Sequence, residues 1–141
     1  MRFWDASALV PLVTQDQVND ALESLYGDGS DIWIWWVTPV EIASSVARRE
    51  RQGELTAQVA SSGYATLARM ASTWHEVLPG EPLRQAAQRL LRVHPLRAAD
   101  SLQLAAALAI SGTSVKSMEF VSCDARLAEA AAREGLEVVS A

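Results

Sequence analysis

Residues 32–53, IWIWWVTPVEIASSVARRERQG, hold the transition that decides the fold. The run IWIWWVT is aromatic and β-branched and too short for a typical helix, which predicts a strand buried on both faces. The next four residues announce a helix. Thr38 can cap it, Pro39 suits the first helical position, and Glu41 sits where a capping box places its acid. That helix is expected to run to about Gly53.

The same alternation extends in both directions. The opening MRFWD reads as a short strand ending at Asp5, followed by a helix over Ala6–Leu12. A second helix is expected over residues 15–27, with Val18, Leu22 and Leu25 on one face, before the loop GDGSD. Beyond Gly53, residues 55–73 form a helix anchored by Leu55, Val59, Leu67 and Met70. HEVLPG is a short strand, and a helix over residues 81–93 stops before Pro95. An Ala- and Leu-rich helix over residues 97–111 closes at Gly112, and MEFVS is the fourth strand. A helix over residues 124–134 stops at Gly135, and LEVVS is the fifth strand. Strands separated by helices throughout predict an α/β sandwich with a mainly parallel sheet. In such sheets ligands bind beyond the carboxyl ends of the strands, where strand order reverses.

Composition bounds the rest. At 141 residues, with no linker, repeat or low-complexity tract, the chain reads as one domain spanning residues 1–141. The single cysteine, Cys123, excludes an internal disulfide and points to a reducing compartment. No signal peptide is visible, and no apolar run approaches the ~20 residues needed to span a bilayer, so a soluble cytoplasmic protein without membrane contact is expected. The net charge of -5 argues against indiscriminate nucleic-acid binding. Yet the basic residues are almost all arginine, whose planar fork suits phosphate, and Arg48, Arg49 and Arg51 cluster in sequence. Those three continue the helix that carries Glu41 and are the candidate group for holding a nucleic-acid phosphate; as a solvated helix end they also complement the dipole.

Four acids stand where an apolar run hands over to a helix: Asp5 in FWDASALVPLV, Glu41 in WVTPVEIASSVARRE, Asp100 in LRAADSLQLAAALA and Asp124 in FVSCDARLAEAAA. Each has a plain structural explanation, since Asp5 and Asp124 can be N-caps, Glu41 can complete a capping box and Asp100 can favour a helix dipole. If the fold brings them together, the cluster repels itself unless protons or a divalent cation neutralise it. A carboxylate-only set without His or Cys favours a hard ion, Mg²⁺ or Mn²⁺, and metal-dependent cleavage of a phosphodiester is the leading expectation.

These four segments, in this order, resemble the PIN-domain nucleases over the whole chain, and most closely the VapC-type toxins of toxin–antitoxin pairs. The resemblance implies a three-layer α/β/α sandwich with a five-stranded parallel sheet of order 3-2-1-4-5 and Mg²⁺- or Mn²⁺-dependent endoribonuclease activity. It further implies an RNA substrate and a cognate antitoxin partner; a homodimer is expected because the strongly apolar helix inventory leaves more hydrophobic surface than one small sheet can cover. Asp5, Glu41, Asp100 and Asp124 match the family's acidic quartet as catalytic and metal-binding residues. Ser7 and Ser122 match small hydroxyl positions that support the site. Gln103 departs from the pattern, standing where His is common.

The other polar residues carry less. His75 and His94 are too isolated for a metal site and are expected at the surface or in support of other groups, and Cys123 is expected to be a small buried hydrophobe. Trp4, Trp33 and Trp35 read as core, while Trp36 alternates away from Trp35 and is the exception that could meet a nucleobase. Two other functions compete with a toxin: a PIN nuclease of RNA maturation, and a catalytically inactive PIN module whose acids survive as helix caps.

Overall fold

Five short strands, β1 (Arg2–Trp4), β2 (Ile32–Trp35), β3 (His75–Val77), β4 (Glu119–Ser122) and β5 (Glu137–Ser140), form one sheet in the order β3-β2-β1-β4-β5. All four pairings are parallel. The computed structural model describes residues 1–16, 19–112 and 118–140. Helices α1 (Ala6–Thr14), α2 (Asp20–Gly27), α3 (Thr38–Arg51) and α4 (Ala57–Ala71) fill the connections β1 to β2 and β2 to β3. Helices α5 (Glu81–Val93), α6 (Ala98–Ser111) and α7 (Ala125–Arg133) fill the remaining two. The expected three-layer α/β/α sandwich of order 3-2-1-4-5 is the observed fold.

Neighbouring residues of a strand point to opposite faces, and this alternation sorts the core into two layers. Phe3, Trp35, Val77 and Phe120 pack against α5, α6 and α7. Trp4, Ile34 and Val121 pack against α1 to α4. Phe3 and Phe120 are register partners across β1 and β4, and their rings stack at 5.7 Å between centroids. Each fully buried large side chain contributes about 2–3 kcal/mol on area bookkeeping, so the two central strands anchor both layers.

Strand order reverses between β1 and β4, because β1 is followed by a helix on one face and β4 by a helix on the other. This is where a doubly wound sheet opens a crevice at its carboxyl edge. Asp5 and Asp124 are the residues that leave these two strands.

Several boundaries differ from the sequence expectation. Helix α1 continues through Pro11 to Thr14 and ends where Gln15 adopts a left-handed conformation with φ 60°. The expected helix over residues 15–27 therefore starts only at Asp20, capped by Asn19, whose side chain accepts the Leu22 N–H at 2.8 Å. Leu22 is buried and Leu25 partly buried, whereas Val18 lies outside the described residues. The capping box at α3 does not form. Thr38 lies inside the helix, Val37 takes the N-cap position without a side-chain bond, and both Thr38 and Glu41 bond instead to Gln103. No helix among the described residues is long and apolar enough to cross a membrane.

Candidate active site at the carboxyl edge of the sheet

Asp5 is the tightest part of the site. It is only 4% exposed, and its backbone N–H continues the β1–β4 ladder to the Val121 carbonyl at 3.1 Å. Its carboxylate caps α1 by accepting the Ala8 N–H at 3.3 Å and takes the Ser7 hydroxyl at 2.7 Å. Ser7 is in turn bonded by the Cys123 N–H at 2.9 Å and lies 3.4 Å from the Ser122 hydroxyl. Ser122 accepts the Asp124 N–H at 3.0 Å. The two serines thus tie the end of β1 to the end of β4 and hold Asp5 and Asp124 side by side.

Asp124 caps α7, its carboxylate accepting the N–H groups of Arg126 and Leu127 at 2.9 and 3.1 Å. Asp100 stands in the first turn of α6 and accepts the backbone N–H of Arg97. Both line one open cleft of about 510 Å³, together with Pro95, Arg97, Ala99, Ala125 and Arg126. Glu41, in the first turn of α3, accepts the Gln103 side-chain amide at 2.7 Å. That amide also donates to Thr38 at 3.0 Å, and Gln103 and Thr38 are both buried. Gln103 lies one turn beyond Asp100 on α6 and ties that helix to Thr38 and Glu41 of α3.

The charges register one another. Burial pushes the Asp5 carboxyl up to about 7, against hydrogen bonds from Ser7, Ala8 and Ser122, and the charge of Asp124 adds to the rise. Burial raises Glu41, opposed by the Gln103 amide and reinforced by Asp100. Burial also raises Asp100, with the charge of Asp124 adding and Arg97 opposing. The electrostatic neighbours therefore run Asp5, Asp124, Asp100, Glu41 as one arc along the carboxyl edge.

The donor set is all hard oxygen, and burial together with neighbouring negative charge disfavours the ionised form of Asp5, Glu41 and Asp100; such a set fits a divalent cation. Among the described residues no three His, Cys, Asp or Glu side chains already form a ready coordination group. The arc is consistent with Mg²⁺, which keeps several of its waters and needs only one or two carboxylates directly.

Other expectations sort differently. Arg49 is committed to ion pairs with Asp16 and Glu54, while Arg48 and Arg51 are exposed. None of the three lines the acidic cleft. Cys123 is exposed at the strand end, not a buried hydrophobe, because β4 has ended one residue before it. Of the two places expected for His94, the surface is not the one it takes: it is buried, with its Nε2 2.7 Å from Glu134. His75 is exposed and stacks on Trp33 at 4.9 Å between centroids. Trp36 is 51% exposed at the mouth of a second groove of about 270 Å³, lined also by Trp35, Val37, Leu83, Arg84 and Leu102. The arginines that do line the cleft are Arg97 and Arg126, neither of them in the group favoured from the sequence. The signal was there, since each lies within three residues of an acid of the quartet.

No protein-family model and no curated protein matches the chain. Among solved structures, the crystal structure of FitAcB from Neisseria gonorrhoeae superposes with a TM-score of 0.69 at 17% sequence identity, covering 99% of this chain and 97% of that one. The likeness extends over the whole domain and shows a shared fold.

Proposed function

We propose that this chain is a divalent-metal-dependent endoribonuclease and the toxin of a type II toxin–antitoxin pair, acting in the cytoplasm and restrained there by a cognate antitoxin. One observation carries the reading: an acid is buried at a cost that a structural role does not require. Asp5, Asp100 and Asp124 all bond backbone N–H groups at helix starts, which is what an inactive module would retain. Asn or Ser would cap α1 equally well, without holding a carboxyl pushed up to about 7. Glu41 caps nothing; its partner is the Gln103 amide on another helix. Caps therefore leave two features of the arc unexplained, and a phosphodiesterase centre accounts for both.

In this reading Asp5, Asp100, Asp124 and Glu41 hold Mg²⁺ or Mn²⁺. When bound, the cation supplies positive charge to the scissile phosphate and lowers the pKa of water. The protein does the positioning. Ser7 and Ser122 fix Asp5 against Asp124, and Gln103, anchored by its buried hydrogen bond to Thr38, donates to Glu41 and orients it. Exposed Trp36, Val40 and Leu78 supply apolar surface for the homodimer that belongs to the same proposal.

The test is cleavage of single-stranded RNA by purified protein with Mg²⁺, with Mn²⁺ and with a chelator. Asp124→Asn is the matched control. Cleavage that requires the cation and Asp124 supports the reading, whereas cleavage that survives the chelator or the substitution overturns it. Sedimentation at tens of micromolar, where specific dimers persist, tests the assembly: a monomer there removes the homodimer.

A further inference from the structure

We infer that Arg97 and Arg126 form the phosphate-binding fork for the RNA strand, flanking the cleaved linkage; the inference rests on the ribonuclease reading above. The starting point is where arginines stand on their helices. A cation is favourable in the last turn of a helix and unfavourable in the first. Arg48, Arg49 and Arg51 lie in the last turn of α3, Arg69 in that of α4, Arg92 in that of α5 and Arg133 in that of α7. Arg2, Arg84 and Arg89 are held by carboxylates of Asp28 and Glu119, Glu81, and Glu134. Arg97 and Arg126 have neither justification. Arg97 occupies the N-cap position of α6, and Arg126 is the second residue of α7.

Both stand against the dipole at the carboxyl edge of the sheet, and both line the cleft that holds Asp100 and Asp124. Neither makes an ion pair among the described residues, although two carboxylates share their cleft. Both are exposed. Two guanidinium groups kept beside a carboxylate arc without closing on it are available to an anion spanning the same opening. The cleft, at about 510 Å³, has room for a nucleotide unit beside them. The chemistry of the ligand follows: a phosphodiester strand, whose central phosphate meets the acids through a cation while a neighbouring phosphate takes the arginine fork. This assigns the backbone contacts to residues beside the acids and not to Arg48, Arg49 and Arg51, which stand outside the cleft and are explained by the α3 dipole.

The alternative is that the two arginines serve only to soften repulsion among the acids. The experiment measures binding of a labelled pool of random single-stranded RNA by fluorescence anisotropy across a salt series. Mg²⁺ is held constant, and Asp5→Asn blocks cleavage in every arm. Replacing Arg97 and Arg126 together by Ala is expected to weaken binding at least about tenfold near 0.1 M salt and to reduce the salt slope by about 1.4, two phosphate contacts at ~0.7 each. Replacing both by Lys is expected to retain most of the slope. Replacing Arg48 and Arg51 by Ala is expected to leave it unchanged. The Arg97→Ala, Arg126→Ala protein should melt close to its parent, since no ion pair is lost and relief of the dipole conflict offsets loss of the Arg97 charge near Asp100. An unchanged slope in that variant, or a slope lost through Arg48 and Arg51, overturns the fork and leaves the ribonuclease reading standing. Failure of the wild-type protein with Mg²⁺ either to bind or to cleave RNA removes the ribonuclease reading itself.

Discussion

Asp5→Asn should make the metal-free protein more stable, and increasingly so as pH rises. The amide keeps the shape of the carboxyl and remains a good helix cap for the Ala8 N–H, but it carries no charge to bury. In the wild type the Asp5 carboxyl moves from an ordinary 3.8 to about 7 on folding, and a displacement of that size is worth roughly 4 kcal/mol. The direction fixes the sign. The folded value lies above the unfolded one, so the neutral carboxyl favours the fold. Its contribution is fully present below 3.8 and is lost as pH climbs through about 7. Against this, the Ser7 hydroxyl bonds a carboxylate more strongly than an amide, by about 1 kcal/mol. The net gain near pH 8 is therefore roughly 2–3 kcal/mol, or about 6–9 °C in Tm at ~3 °C per kcal/mol. Calorimetric melts of both proteins in chelator, from pH 4 to pH 8, provide the assay. The two should melt together at pH 4 and diverge upward. A variant that melts lower at every pH, or by a constant margin, would refute the burial argument.

Three further outcomes follow from particular contacts. Gln103→Ala removes a buried side chain, a donor to Glu41 and the partner of Thr38; it should cost about 2–3 kcal/mol in denaturant unfolding and lower RNA cleavage as well. Gly63→Ala should raise stability by up to ~1 kcal/mol, because an added Cβ meets Val13 and Val46 only at 3.9 Å; a loss in thermal melts would mean that α4 packs more tightly than these distances allow. Glu134 is held below the usual carboxyl range by hydrogen bonds from Arg89 and then His94, so its stabilisation is present above the ordinary carboxyl value and lost as pH falls through the depressed one. Glu134→Gln should therefore lose ~1 kcal/mol at neutral pH, with the gap to wild type closing toward pH 3 in chemical denaturation.

Much of the fold was legible because strand and helix signals agreed locally. IWIWWVT reads as a short strand and its first four residues form one, β2, whose alternation separates Ile34 and Trp35 into the two cores. Pro95 and Gly135 marked helix ends close to where they fall. The start of α2 was misplaced because the left-handed turn at Gln15 is not a conformation that glutamine advertises. The capping box at Thr38 failed for a tertiary reason: Gln103, distant in sequence, competes for both of its side chains. Of the site, the acids could be picked out as helix starts, but their arc depends on strand order, which local pattern does not encode and the family resemblance supplied. Burial of His94 and exposure of Cys123 likewise depend on which element covers each of them, Glu134 from α7's end in one case and the close of β4 in the other.

The central claim is that the four carboxylates hold a divalent cation at the edge where β1 and β4 part. Crystals soaked in Mn²⁺ and recorded near its absorption edge address it directly, since anomalous scattering locates the ion without reference to activity. The account predicts an anomalous peak bounded by Asp5, Glu41, Asp100 and Asp124, absent when Asp100→Asn crystals receive the same soak. A cleft that stays empty at saturating Mn²⁺, or an ion bound elsewhere with these carboxylates uninvolved, would contradict it.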